Sequence, residues 1–321
     1  MKTVRIGVLG CADIARRRML PAMAAEPGIT IAAVASRDSA RAGELAGRFG
    51  ARPVTGYAEL LERDDIDAVY VPLPAALHAR WTEAALRRGK HVLAEKPLTT
   101  SLAESRRLIA LAQESGLALM ENVMFIHHSQ HDAVRKLVWD GVIGELRAFH
   151  AAFAIPRLPD DDIRYVPELG GGALWDTGVY PVRAALHFLG DNLQVLGAML
   201  TQEPGRRVDT AGSALLRTPE GVGVQLTFGL DHGYRSAYEI WGSQGRITVE
   251  RAFTPPADHR PLIRVERRGV EEISLSPDDQ VAATLRAFTA AVRDGAARDS
   301  VCVRQAELLH ELRERALPSR P

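Results

Sequence analysis

The sequence predicts a two-domain α/β protein: an N-terminal doubly wound parallel sheet, then a C-terminal α/β domain built on an open, largely antiparallel sheet. Three observations carry this expectation. The chain has 321 residues, long for one domain. Its first third alternates short apolar runs with amphipathic helical patterns, as strands buried on both faces between crossover helices do. Beyond about residue 145, strand follows strand, separated by turn signals such as "TPEG" (218–221) and "SQG" (243–245).

In order, apolar runs at 4–9, 30–35, 68–71, 91–94 and 117–120 read as strands, with helices at 12–25, 39–48, 76–88 and 102–115. These form a first domain expected over 1–121. "MENVMFIHHSQHDAVRKLVWDGVIG" (120–144) reads as a helix closed by Gly141 and Gly144. Strands are expected at 145–155, 194–202, 208–217, 222–230, 234–241, 246–251 and 261–275, with helices at 174–189, 280–293 and 301–316. They form a second domain over 122–321, whose last helix has the option of packing back on the first.

Composition excludes several function classes. Apolar residues make up 46%, ample for cores, and no segment approaches the length of a membrane span. Lys+Arg and Asp+Glu balance at 40 each, so no basic field is available for nucleic acid. Cys11 and Cys302 make no disulfide framework, and Arg16, Arg17 and Arg18 interrupt any apolar leader, so a cytoplasmic location is expected. Lysine occurs only at Lys2, Lys90, Lys96 and Lys136. Codon bias explains the scarcity plainly, yet each survivor is a candidate for something arginine does not do, such as donating a proton near neutral pH.

"VRIGVLGCADIA" (4–15) runs from a strand through Gly10 into a helix. A dinucleotide fingerprint G-x-G-x-x-G would place glycines where Ala12 and Ala15 stand. Alanine at the third position still permits close helix–strand packing, but the Ala12 methyl lies where a pyrophosphate would approach. The amides of residues 11–15 (Cys11, Ala12, Asp13, Ile14, Ala15) at the helix N-terminus are still able to face a phosphate. Gly10 alone therefore leaves two readings, a nucleotide turn or an ordinary one. At the end of the second strand, where an NAD site has an acid, stand Ser36 and Arg37. Hydroxyl and guanidinium suit a 2′-phosphate, which favours NADPH/NADP; Asp38, one residue late, keeps NAD as the lesser reading, and Arg37 as a plain surface residue is the other.

Three further stretches carry candidate chemistry. "HVLAEKPLTT" (91–100) ends a strand with Glu95 and Lys96, in the position where open α/β sheets bind ligands. "PLPAALHARW" (72–81) places His78 in a first helical turn, where a structural role is equally natural. In "ELGGGALWDTGVYPVRAALHF" (168–188), three glycines bring the backbone close to something, Asp176 is placed to cap a helix, and Tyr180 lies one turn on. His127, His128 and His131 are candidate metal ligands because 127 and 131 are a helical turn apart, but no third-ligand motif accompanies them, so no metal is expected. Asp160, Asp161 and Asp162 read as a solvated acidic loop.

Together "GVLGCADIA", "AEKPLTT", "MENVMFIHH", "GVIGEL", "GGGALWDTGVYP" and "WGSQGRI" resemble the Gfo/Idh/MocA family over nearly the whole chain. The resemblance implies a Rossmann domain followed by an α/β domain whose open sheet joins copies into a homodimer or homotetramer. Many members carry histidine four residues after the aspartate; Tyr180 stands there instead, so that catalytic histidine does not transfer. "GCADIARRRMLPA", "YVPLPAALHA", "PDDDIRY" and "RAFTPPADHRP" resemble the NDP-hexose 3-ketoreductases of deoxysugar biosynthesis. That implies NADPH-dependent reduction of the C3 keto group of a dTDP-linked 3,4-diketo-2,6-dideoxyhexose. By the same resemblance Lys96 and Tyr180 are the catalytic pair. Ser36, Arg37, Tyr57, Leu73, His78, Arg164 and Asp176 are implied cofactor contacts beside the Gly10–Ala15 loop and Glu95. Arg164, Arg183 and Arg235 are candidates for the diphosphate of the substrate. Two alternatives stand: a related dehydrogenase of a free sugar or a trans-dihydrodiol, and a non-catalytic NADP-binding regulator.

Overall fold

Val4, Ile6, Val8 and Leu9 are buried because β1 (Val4–Leu9) runs through the middle of a sheet covered on both faces. In the computed structural model, residues 3–294 and 300–317 are described. They fall into two units, residues 3–123 with 281–294 and 300–303, and residues 124–280 with 304–317.

In the first unit a π-helical turn (Ala15–Met19) leads into α1 (Leu20–Ala25), followed by β2 (Ile29–Ser36) and α2 (Ser39–Gly47). Next come β3 (Arg52–Thr55), α3 (Tyr57–Leu61), β4 (Ala68–Val71), α4 (Ala75–Arg87), β5 (His91–Glu95), α5 (Leu102–Glu114) and β6 (Leu119–Asn122). All strand pairs are parallel, in the order β3-β2-β1-β4-β5-β6. The order reverses between β1 and β4, and ligands of such sheets bind beyond the carboxyl ends at that reversal. β3 and α3 were not expected. β3 is an edge strand, mostly exposed, and its Pro53 is tolerated for that reason.

The single helix expected over 120–144 is three elements. β6 continues to Asn122, with Glu121 and Asn122 buried in it. A 3₁₀ turn (Met124–His127) follows, then α6 (Ser129–Trp139), capped by His128, whose Nδ1 accepts the Gln130 N–H at 3.2 Å. Gly141 and Gly144 close it with φ of +72° and +73°.

The second unit continues with β7 (Leu146–Ala154), a π-helical turn (Leu174–Gly178) running into α7 (Val179–Leu189), then β8 (Gln194–Thr201), β9 (Ala211–Arg217) and β10 (Gly223–Gly229). β11 (Arg235–Gly242), β12 (Arg246–Glu250), β13 (Leu262–Glu266) and β14 (Val270–Ser274) follow. The chain then passes through α8 (Gln280–Asp294) and α9 (Ser300–Arg315) to β15 (Ala316–Leu317). The run 261–275 is a hairpin, β13 and β14, rather than one strand. The sheet order is β14-β13-β12-β11-β7-β10-β9-β8-β15, antiparallel except for β7/β10 and β15/β8. Phe149, Phe228, Tyr238 and Ile240 alternate onto a buried face. On the other, Leu215, Trp241 and Leu262 remain 45%, 46% and 44% exposed. No described helix is long and apolar enough to cross a membrane.

Candidate active site

Gly10 leaves β1 at φ +114°, a conformation that strains any residue with a Cβ. A Cβ there would meet Leu73 Cδ2 at 2.9 Å, with Pro72 O and Tyr57 Oη each at 3.8 Å. The bare Cα thus forms a cradle backed by Leu73 and Tyr57, and its N–H donates to Ala35 O at 2.9 Å. Cys11, Ala12 and Ile14 are half-buried, Ala15 is buried against the sheet, and Asp13 is an exposed ion-pair partner of Arg16 and Arg17. This cradle fits a dinucleotide.

At the end of β2, Ser36 Oγ accepts the Asp38 N–H at 3.1 Å. Asp38 caps α2: its Oδ1 accepts the Ala40 and Arg41 N–H groups at 2.9 and 3.2 Å. Its carboxylate is therefore engaged by the helix end, which weakens the NAD reading. Arg37 is exposed, and among the described residues no ion pair holds it.

The ends of β4, β5 and β6 are tied by one carboxylate. Glu95 Oε1 accepts Tyr70 Oη–H at 2.6 Å and Asn122 Nδ2–H at 2.6 Å. Burial, with the Glu95 charge adding to it, holds the Tyr70 phenol well above its ordinary range, so it stays a donor. Lys96 follows, joined to Pro97 by a cis peptide bond. His78 is 1% exposed, its Nδ1 at 2.8 Å from Pro97 O and its Nε2 at 2.7 Å from Leu73 O. Burial lowers its pKa against the pull of those two carbonyls. His78 thus braces the loops after β4 and β5 from inside. Two other lysines have structural partners: Lys90 Nζ donates to Arg63 O and Ile66 O at 2.8 and 2.9 Å, and Lys136 pairs with Asp140 on the surface.

In the second unit, the glycine run approaches the protein itself. A Cβ on Gly171 would lie 2.5 Å from Arg164 O, and one on Gly172 2.5 Å from Asp209 Oδ1. Asp176 is not the cap the sequence predicts: the helix begins before it, and Asp209 caps it, its Oδ2 accepting the Leu174 N–H at 2.6 Å. Burial raises the Asp209 pKa, opposed by those amides. Asp176, inside the π-helical turn, instead accepts from Arg164 Nε at 2.7 Å. The Asp176 charge, assisted by Asp162, holds the Arg164 pKa above its already high value. Tyr180 stacks among Phe153, Phe253 and Phe125, with ring centroids 4.5, 5.8 and 6.1 Å away.

Other candidates divide. Arg183 is 3% exposed and donates to Gln305 Oε1 at 3.4 Å, which removes it as a diphosphate ligand. Arg235 is exposed, 3.6 Å from Glu250. The acidic loop is not merely solvated: Asp160 pairs with Arg157 and Arg206, and Asp162 holds Arg164. Among the described residues no three His, Cys, Asp or Glu groups are gathered as a metal would need. His131 is buried, facing Tyr238 Oη at 3.0 Å and Ala252 O at 3.1 Å. Tyr70, Asn122 and Asp209 were not singled out from sequence; polar residues inside the apolar strands "AVYV" and "LMEN" were the available signal for the first two.

A Rossmann sheet with a glycine cradle, followed by an open mixed sheet, defines a class, and comparison confirms it. Residues 4–123 match the model of the Gfo/Idh/MocA oxidoreductase family with its NAD-binding Rossmann fold, and residues 131–248 match the Gfo/Idh/MocA C-terminal domain. The chain belongs to that family. It is 52% identical to a dTDP-3,4-didehydro-2,6-dideoxy-alpha-D-glucose 3-reductase of Streptomyces antibioticus, over 96% of each chain. It is 55% identical to an enzyme of that name from Actinomadura kijaniata, over 91% of this chain and 88% of that one. A solved 3-ketoreductase from Actinomadura kijaniata in complex with NADP and TDP-benzene superposes with a TM-score of 0.96, at 52% identity and 98% coverage of each chain. Solved forms of it include one with a tyrosine replaced by phenylalanine and one with a lysine replaced by alanine.

Proposed function

We propose that this chain uses NADPH to reduce the C3 keto group of a dTDP-linked 3,4-diketo-2,6-dideoxyhexose. The observation that carries the reading is identity above one half, over nearly the full length, to enzymes named for that reduction. The two positions substituted in the solved ketoreductase are, moreover, as far apart in its chain as Lys96 and Tyr180 are here.

Bound NADPH would supply the hydride to the carbonyl carbon. Charge then grows on the carbonyl oxygen and requires a donor that stabilises it and yields a proton. Tyr180 is assigned as immediate donor and Lys96 as the group that orients the carbonyl. The Gly10–Ala15 loop (Gly10, Cys11, Ala12, Asp13, Ile14, Ala15), Tyr57 and Leu73 would hold the dinucleotide. Ser36 and Arg37 would take the 2′-phosphate. His78 and Glu95 act on the loops around Lys96, and Arg164 with Asp176 completes the cofactor contacts. Copies of the chain pair through the open sheet face that exposes Leu215 and Trp241, and the enzyme works in the cytoplasm.

The test follows NADPH absorbance with a panel of dTDP-ketosugars and free ketoses. Turnover confined to the dTDP-3,4-diketo sugar is expected. Faster turnover of free sugars would reassign the chain to sugar dehydrogenases, and NADPH binding without turnover of any substrate would make it a regulator.

A further inference from the structure

A buried carboxylate that plays no part in the reading above grips the backbone just beyond Lys96. The Leu98 N–H donates to Glu121 Oε1 at 2.9 Å, and Cys302 Sγ–H donates to Glu121 Oε2 at 3.0 Å. Glu121 is 2% exposed, and the adjoining cavity of about 10 Å³, lined by Leu98, Leu119 and Cys302 among others, holds at most a single water. A carboxylate in such a place costs free energy that an apolar residue in β6 would not, so its retention calls for a reason other than packing. That reason is local. Pro97 has no N–H, so Leu98 carries the first amide after Lys96 by which the segment is held. Upstream, the Glu95 side chain is tied to Tyr70 and Asn122, and His78 meets the Pro97 carbonyl.

We infer that Glu121 is a positioning residue for Lys96, acting through the Leu98 amide to fix the backbone from which the Lys96 amine reaches the substrate. The inference rests on the assignment of Lys96 to the reaction. Glu121→Asp keeps the charge but withdraws it from Leu98, whereas Glu121→Gln keeps an acceptor in place.

The expected result is a fall in kcat of about tenfold or more for Glu121→Asp, toward the roughly hundredfold that an ångström of misplacement costs. The Kd for NADPH by fluorescence titration stays near wild type, and the Tm falls by no more than about a few degrees, the cost of one unsatisfied buried amide. Glu121→Gln holds kcat within about threefold, the scale of one modest hydrogen-bond change. In a Lys96→Met background, Glu121→Asp causes no further loss. Wild-type kcat in Glu121→Asp, equal losses in both variants, or an undiminished loss in the Lys96→Met background would each overturn the inference. So would a Glu121→Asp chain that fails to fold while Glu121→Gln folds and works, because the hydrogen bond to the Leu98 amide would then serve stability. Should neither variant fold, a structural carboxylate is shown and the inference is likewise lost. Wild-type turnover of Lys96→Met alone would instead remove the assignment of Lys96.

Discussion

Arg164 Nε and Asp176 Oδ2 lie 2.7 Å apart, joining the loop after β7 to the π-helical turn that leads to Tyr180. Each charge is half-buried and engaged by the other, with Asp162 also 3.2 Å from Arg164 Nη1, so the pair is expected to act largely as one group. Arg164→Met or Asp176→Asn is expected to weaken NADPH binding about tenfold, as loss of a charged hydrogen bond does. The double variant binds no worse than the weaker single one. Calorimetric titration of the three proteins checks this, and additive losses would mean that the two act separately.

Turnover measures the proposed chemistry directly. Lys96→Met and Tyr180→Phe are each expected to lower kcat roughly a hundredfold, within the range of general acid catalysis. Stopped-flow traces of NADPH oxidation give the number, and two variants at wild-type rate would remove the pair.

Arg37 is proposed to read the 2′-phosphate, and Asp38 is held by α2. Arg37→Ala is expected to raise KM for NADPH about ten- to hundredfold while leaving NADH kinetics unchanged. Asp38→Ala lowers stability by about 1 kcal/mol through loss of the cap. A parallel loss with NADH would show that Arg37 does not read the phosphate.

Stability is expected to fall in mild acid. Burial holds His131 well below its ordinary 6.5, with His187 and His128 adding to the effect. Burial, with Arg135 assisting, lowers His187 to about 4. Unfolded imidazoles titrate near 6.5, so below that pH the unfolded chain binds more protons and folding loses free energy. The loss grows as pH falls from 6.5 toward 4. Tm at pH 5 should lie at least a few degrees under Tm at pH 7, and His187→Asn should narrow the gap. A flat profile in scanning calorimetry would contradict it.

The open sheet face offers an assembly test. Leu215→Glu with Trp241→Glu replaces two exposed apolar side chains by charges on the sheet face that also carries Glu239, Arg246 and Glu266. Sedimentation velocity is expected to show a smaller species, with wild-type size in the double variant assigning assembly to another surface.

Much of the layout was legible because strands buried on both faces leave uninterrupted apolar runs; β1, β4 and β5 stood out, and with them Gly10 and Lys96 at their ends. β3 was not visible, since an exposed edge strand with Arg52 and Pro53 has no such pattern. Glu121 and Asn122 disguised the end of β6 and lent it to the following helix. The hairpin at Arg267–Gly269 carries too weak a turn signal to divide 261–275. Asp209 was beyond reach for another reason: its partner Leu174 is distant in sequence, and only folding brings the two together.

The scarcity of lysine gives an experimental handle on the proton itself. Of the four side-chain amines in the sequence, that of Lys90 is enclosed by two carbonyls and that of Lys136 sits on the surface against Asp140. Isotope-labelled reductive dimethylation would therefore give a magnetic-resonance spectrum with very few signals. Lys96 would stand out in it as the one that responds to coenzyme, and the acidity of its ammonium would be readable without any kinetics.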